Sequence, residues 1–220
     1  MTPERLPDFL DGLDSSWGGL SLTMPLKQAV LPLLSSSSEL VRQVAAANTV
    51  LLPARRGENT DVIGMVAALA EVGVRSATRA VVLGGGATAR SALAALAVLG
   101  CRTPTLVVRS PAGETLAAAA RLGVHPTVAG WEPTALAGCD LLVSTVPAGA
   151  ADAFAPYVAD VPVLLDVVYD PWPTRLGASC RGTVVGGAQM LLHQAAAQVA
   201  LMTGREAPLA AMRGALKQTG

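Results

Sequence analysis

Apolar and polar positions follow two different patterns along this chain. From residue 79 onward, short unbroken apolar runs give way to longer segments with apolar residues at helical spacing. The runs are AVVL before a glycine turn, TLVV, DLLVSTV, PVLLDVVY and GTVVGG. Such runs, with no alternating polar face, mark strands buried on both sides. Between them, TARSALAALAVLG closes on Gly100 and GETLAAAARLG closes on Gly123, each an amphipathic helix ended by a glycine. Strand and helix in repeated alternation predict a parallel sheet covered on both faces. GAQMLLHQAAAQVALMTG then reads as a long helix stopped by Gly204, with a last short helix over 208–217.

The N-terminal third is less regular. Thr2-Pro3-Glu4 has the order of an N-cap, a proline at the first helical position and an acid in the first turn, and Gly12 closes that helix. Residues 26–46 carry a helical pattern interrupted by Pro32 and by the serine run 35–38, read as a capped loop. NTVLL at 48–52 predicts a strand, Arg55–Gly57 a turn, and DVIGMVAALAEVG a helix ended at Gly73. The pattern therefore predicts an α/β protein in two parts. A doubly wound nucleotide-binding unit spans 78–187, and a smaller α/β region spans 1–77, completed by helices over 188–220.

Composition narrows the function classes. The 16 basic and 16 acidic residues balance and form no run, which argues against a nucleic-acid partner. No apolar segment is long enough to span a bilayer, and the charged opening MTPERLPDFLDGL lacks a signal-peptide core. Cys101, Cys139 and Cys180 are scattered and make no metal spacing with His125 or His193. A reduced, cytoplasmic setting with no metal is the expectation.

Gly84-Gly85-Gly86-Ala87-Thr88-Ala89 fits G-x-G-x-x-A between a strand and a helix. In a dinucleotide site the first glycine makes the turn and the second admits a pyrophosphate. The small third residue lets helix and strand pack closely. The other reading is a strand–helix turn that is merely rich in glycine. The second strand ends Val108-Arg109-Ser110 with no acid for a ribose 2′-hydroxyl, and an arginine there suits the 2′-phosphate of NADP. The alternative for Arg109 is a solvated surface charge. Lys27, after SLTMPL, is on its own a surface charge or a cation held beside a substrate. Asp61 is a helix N-cap or that cation's partner.

The ordered set LTMPLK, ANT, ENTD, GGGATAR, DVVYDPWPT and GGAQMLLHQA resembles the shikimate dehydrogenase family over nearly the whole chain. The resemblance implies NADPH-dependent, reversible reduction of 3-dehydroshikimate to shikimate in the aromatic amino-acid pathway, in a cleft between two α/β domains. It implies Lys27 as the catalytic lysine and Asp61 as its partner, with Thr23, Asn48, Gln194 and Tyr169 as substrate contacts. Gly84, Gly85, Gly86 and Ala87 fall on the phosphate loop, and Arg109 and Ser110 on the segment that holds the 2′-phosphate. Thr145, Val167, Gly187 and Met190 border the nicotinamide half. By helix geometry His193 points elsewhere; Asp166 stands at a C-terminal strand edge, where α/β sites form, or organises the loop that follows; and Trp172 reads as a packing anchor.

Three positions depart from the family pattern. Ser21 and Val108 stand where the family has asparagine, and Gly113 where it has a second arginine. The family also leads one to expect an opening strand and a Ser-x-Ser-type clamp for the substrate carboxylate ahead of the point where residue 1 matches. The smaller domain thus reads as truncated. The alternatives kept open are an NAD-using shikimate or quinate dehydrogenase, and a non-catalytic dinucleotide-binding chain. The partners expected are small molecules, with the protein a monomer or homodimer.

Overall fold

A computed structural model describes residues 1–218; Thr219 and Gly220, the end of the expected 188–220 segment, lie outside the described residues. The apolar runs form a six-stranded, all-parallel sheet of β5 (Ala80–Leu83), β6 (Thr105–Val107), β7 (Thr127–Ala129), β8 (Leu141–Ser144), β9 (Val163–Asp166) and β10 (Thr183–Gly186). Its order is β10-β9-β8-β5-β6-β7, so the chain reverses direction across the sheet between β5 and β8. In doubly wound sheets ligands bind outside the C-terminal strand ends at such a reversal. Here Gly84 and Thr145 follow those two ends.

Both faces of this sheet are apolar, which is why its strands show no alternation. Val82, Leu106, Val143, Leu165 and Val185 face α4 (Asp61–Glu71), α5 (Ala87–Val98) and α8 (Gly187–Thr203). Val81, Leu83, Leu142 and Leu164 face Phe154, Val158 and Leu176 on the other side. The remaining helices of this part are α6 (Gly113–Arg121) and α7 (Arg175–Ser179), and α9 (Leu209–Gln218) follows α8. Gly73, Gly100 and Gly204 all take positive φ where their helices stop, as the sequence predicts.

The N-terminal part is built on a four-stranded sheet in the order β1-β3-β4-β2. Its strands are β1 (Gly19–Ser21), β2 (Ser36–Ser37), β3 (Thr49–Leu51) and β4 (Arg56–Glu58), packed by α1 (Leu6–Asp11), α2 (Leu26–Ala29) and α3 (Glu39–Val44). Three local expectations are corrected. The serine run is not only a loop, since Ser36 and Ser37 pair in parallel with Arg56 and Gly57, and Ser38 caps α3 by accepting from the Val41 N–H. Arg55, at φ 45, makes the turn, and Arg56 already begins a strand. The opening turn, Pro3–Arg5, is a 3₁₀ turn without a side-chain cap from Thr2, and α1 starts only at Leu6. β7 was not foreseen, because an edge strand of three residues with Thr127 and Val128 exposed carries no buried run.

Candidate active site

Lys27 leaves α2 just after Pro25, and its carbonyl accepts from the Ala47 N–H at 2.9 Å. That bond fixes the lysine's backbone beside the Asn48-Thr49 end of β3. Asp61 is the first residue of α4, and its carboxylate accepts from Lys27 Nζ at 2.6 Å. The pair is largely sheltered, with side chains 14% and 4% exposed. Sequence reasoning offered Asp61 as the cap of α4. Instead Asn59 Oδ1 accepts the N–H groups of Asp61 at 3.1 Å and Val62 at 3.4 Å. Asn59 is itself held by donating to the Ala46 carbonyl and to Ser91 Oγ. The Asp61 carboxylate is thus free for Lys27, at a helix N-terminus whose partial positive charge favours an anion.

Asn48 stands one layer behind the ion pair. Its Nδ2 lies 3.0 Å from Asp61 Oδ1, 2.9 Å from Thr60 Oγ1 and 2.9 Å from Gln194 Oε1. Its Oδ1 accepts from the Thr60 N–H and the Thr49 hydroxyl. A primary amide has two hydrogens, so three acceptors compete for them. Asn48 is 1% exposed and does not reach the cavity surface, so it joins Asp61 and Gln194 from below. Gln198, one turn beyond Gln194 on α8, donates to the Asn48 carbonyl and to Thr49 Oγ1. Sequence reasoning missed Gln198, Asn59 and Thr60. The signal for Gln198 was its i,i+4 spacing from Gln194 in an alanine-rich helix.

Above this network is a cavity of about 260 Å³. Lys27, Asp61, Thr23 and Gln194 line it from the N-terminal part and α8, as does Ser21. Gly187 and Met190 of α8 also line it, with Val167 and Tyr169 of the loop after β9 and Thr88 of α5. The approach of α8 to the β9 loop depends on Gly187, where a Cβ would lie 2.2 Å from the Val167 carbonyl oxygen. Asp166, at the end of β9, accepts from Thr174 Oγ1 at 2.7 Å and from the Val168 N–H at 3.3 Å, which ties down that loop. Burial pushes its carboxyl above the ordinary value, against the lowering effect of those bonds. Trp172 lies over Gly186 and Gly177 with one edge of its indole, yet is 44% exposed, so it is only partly the packing anchor expected. His193 faces away from the cavity, 3.0 Å from Glu71 of α4.

A second cavity of about 170 Å³ lies across the glycine turn, lined by Gly84, Gly85, Arg109, Ser110, Trp131 and their neighbours. Gly84 takes φ +109, and a Cβ there would sit 2.6 Å from Thr145 Oγ1. Thr145 reaches neither cavity surface, since its hydroxyl donates to the Leu83 carbonyl under the turn. Thr115 of α6 donates to the Gly85 carbonyl at 2.6 Å and braces the turn from outside. Gly86 is the N-cap of α5, makes no side-chain cap, and a Cβ there would meet open space. Ala87 begins the helix. The first-turn N–H groups of α5 are therefore presented to an incoming phosphate. With Arg109 lining the outer cavity, these residues fit a 2′-phosphorylated dinucleotide.

Two family models match the chain. The shikimate dehydrogenase substrate binding domain matches residues 1–50, and the shikimate 5′-dehydrogenase C-terminal domain matches 187–217. A shikimate dehydrogenase (NADP(+)) of Synechocystis is 35% identical over 98% of this chain and 82% of its own length. One from Moorella thermoacetica is 34% identical, over 98% and 80%. The crystal structure of Mycobacterium tuberculosis shikimate dehydrogenase superposes with a TM-score of 0.90 at 38% identity, covering 99% of this chain and 85% of that one. The Thermus thermophilus enzyme, solved in complex with NADP(H) and shikimate, gives 0.85 at 29% identity, over 100% and 86%.

Proposed function

This chain belongs to the shikimate dehydrogenase family, and from that membership we propose that Lys27 and Asp61 carry its proton chemistry. The protein is an NADP-dependent oxidoreductase that interconverts 3-dehydroshikimate and shikimate. The observation that carries the residue assignment is the sheltered Lys27–Asp61 pair, facing a cavity that adjoins the N-terminal end of α5.

NADPH, when bound, supplies the hydride. The substrate oxygen then gains negative charge, and a donor must meet it. Lys27 Nζ has three N–H donors and spends one on Asp61, which leaves donors for that oxygen. Asp61 fixes the direction of the lysine, while Asn48 fixes Asp61 through its other oxygen. The proton comes from the Lys27–Asp61 pair, whose two polar ends lie 2.6 Å apart at the cavity. Thr23, Gln194 and Tyr169 line the same cavity and offer hydroxyl and amide groups to the substrate's hydroxyls. Val167, Gly187 and Met190 line the same cavity and would border the nicotinamide of the bound cofactor. We assign residues 1–77, with α8 and α9, to the substrate side and 78–187 to the cofactor side. The three cysteines are free, which supports a cytoplasmic setting for an enzyme acting as a monomer or homodimer.

The test is shikimate-dependent reduction of NADP⁺ followed by absorbance, with quinate and NAD⁺ in parallel. Turnover with shikimate and NADP⁺ is expected to exceed every other pairing. A higher kcat/KM for quinate or for NAD⁺ would refute the stated specificity, and no turnover with any pair would refute the activity.

A further inference from the structure

Arg109 is the cation on which the 2′-phosphate reading turns, and its surroundings are unusual. Among the described residues it makes no hydrogen bond and no ion pair; its one ring contact is with Trp131, whose centroid lies 5.4 Å from the guanidinium carbon. Trp131 is in turn seated edge-on against Phe154, with centroids 4.9 Å apart, and Phe154 is completely buried. Arg109 and Trp131 both line the outer cavity beside Gly84 and Gly85, and Val108 and Gly113 add no second cation there.

Resting on the NADP reading above, we propose that Trp131 is a positioning residue for cofactor selectivity, a platform that holds Arg109 ready for the 2′-phosphate. A guanidinium stacked on an indole face keeps its charge, and its N–H edge stays open for a bidentate phosphate contact. An exposed arginine without a partner samples many rotamers, and binding must stop that motion. Stacking removes part of the loss beforehand. Phe154 anchors the platform in the core, so the indole does not have to be ordered by the ligand. NAD⁺ carries a hydroxyl where NADP⁺ carries the phosphate, so it gains little from a positioned cation. Trp131 should therefore act on one cofactor and not the other.

The test is calorimetric binding of NADP⁺ and NAD⁺ to the full chain. Trp131→Leu keeps apolar bulk against Phe154 but removes the π face, so it guards against simple loss of packing. It is expected to weaken NADP⁺ binding about three- to tenfold with NAD⁺ affinity unchanged. Trp131→Phe should restore most of that affinity. In an Arg109→Ala background, Trp131→Leu should add nothing. Equal weakening of both cofactors, or a full additional loss in the Arg109→Ala background, would overturn the proposal, as would wild-type protein that binds the two cofactors equally. Intact NADP⁺ selectivity with no shikimate turnover would instead defeat the oxidoreductase reading and leave this inference standing.

Discussion

Asn59 and Asp61 sit two residues apart in ENTD and do different work, which their residue types alone do not reveal. Either could cap a helix, and the sequence reading gave that option to Asp61. The backbone decides it: Asn59 lies far enough before α4 to accept its first N–H groups, so Asp61 turns its carboxylate to Lys27. Asp166 was more readable, since an acid at the end of a buried parallel strand can satisfy the loop that follows. Its titration gives a sharp expectation. Burial raises its folded-state pKa above the ordinary 3.8, so its contribution favours the fold at low pH and is lost as pH rises through the raised value. Asp166→Asn cannot ionise. Wild-type protein should therefore lose unfolding free energy relative to that variant as pH climbs from 3.8, with a plateau above the raised value. Urea denaturation of both proteins across that range measures the difference. A wild type that gains on the variant with rising pH would reverse the sign and contradict the burial argument.

Among the elements, α4 and α8 together make the site. Gly64 lets them approach: a Cβ there would lie 2.9 Å from Gln194 Cβ and 2.9 Å from the Met190 carbonyl oxygen. The close crossing brings Gln194 to Asn48 and Asp61. Gly64→Ala is compatible with helical backbone, so its effect should come from overpacking, about 1–3 kcal/mol of stability. The displaced α8 should also raise the KM for shikimate more than that for NADP⁺. Thermal unfolding and steady-state kinetics check both, and an unchanged shikimate KM would show that the crossing does not position Gln194. The helices α4, α5 and α8 were legible in sequence because each runs for three turns or more with a periodic apolar face and a glycine stop. β2 and β4 were not, because strands of two and three residues are too short to show a period. Their pairing is set by residues about twenty positions apart.

In the molecule as a whole, the strand–helix alternation of the sequence foretold the parallel sheet and the place of the glycine turn. It could not foretell the seam between the two parts. Arg90 of α5 is 1% exposed and donates to the carbonyls of Val44 and Ala45, at the left-handed end of α3. It also meets Glu114 of α6, which accepts from Gln28, the neighbour of Lys27. These contacts join residues 24 to 86 positions apart, and no local pattern marks them. They hold the N-terminal end of α5 against the part that carries Lys27, which keeps the glycine turn next to the lysine's cavity. Of the residues that the motif resemblance names, Lys27, Asp61, Thr23 and Gln194 line that cavity and Asn48 lies behind it, while the supporting Asn59, Gln198 and Arg90 came only from the fold.

The central claim is that Lys27, paired with Asp61, serves the chemical step and not cofactor binding. Its most direct test is Lys27→Ala, with kcat for shikimate oxidation and calorimetric NADP⁺ affinity measured on the same preparation. Loss of a positioned acid–base group predicts a fall in kcat of about 10²- to 10⁴-fold with NADP⁺ affinity unchanged. Near-normal turnover, or a loss that tracks weakened NADP⁺ binding, would contradict the assignment.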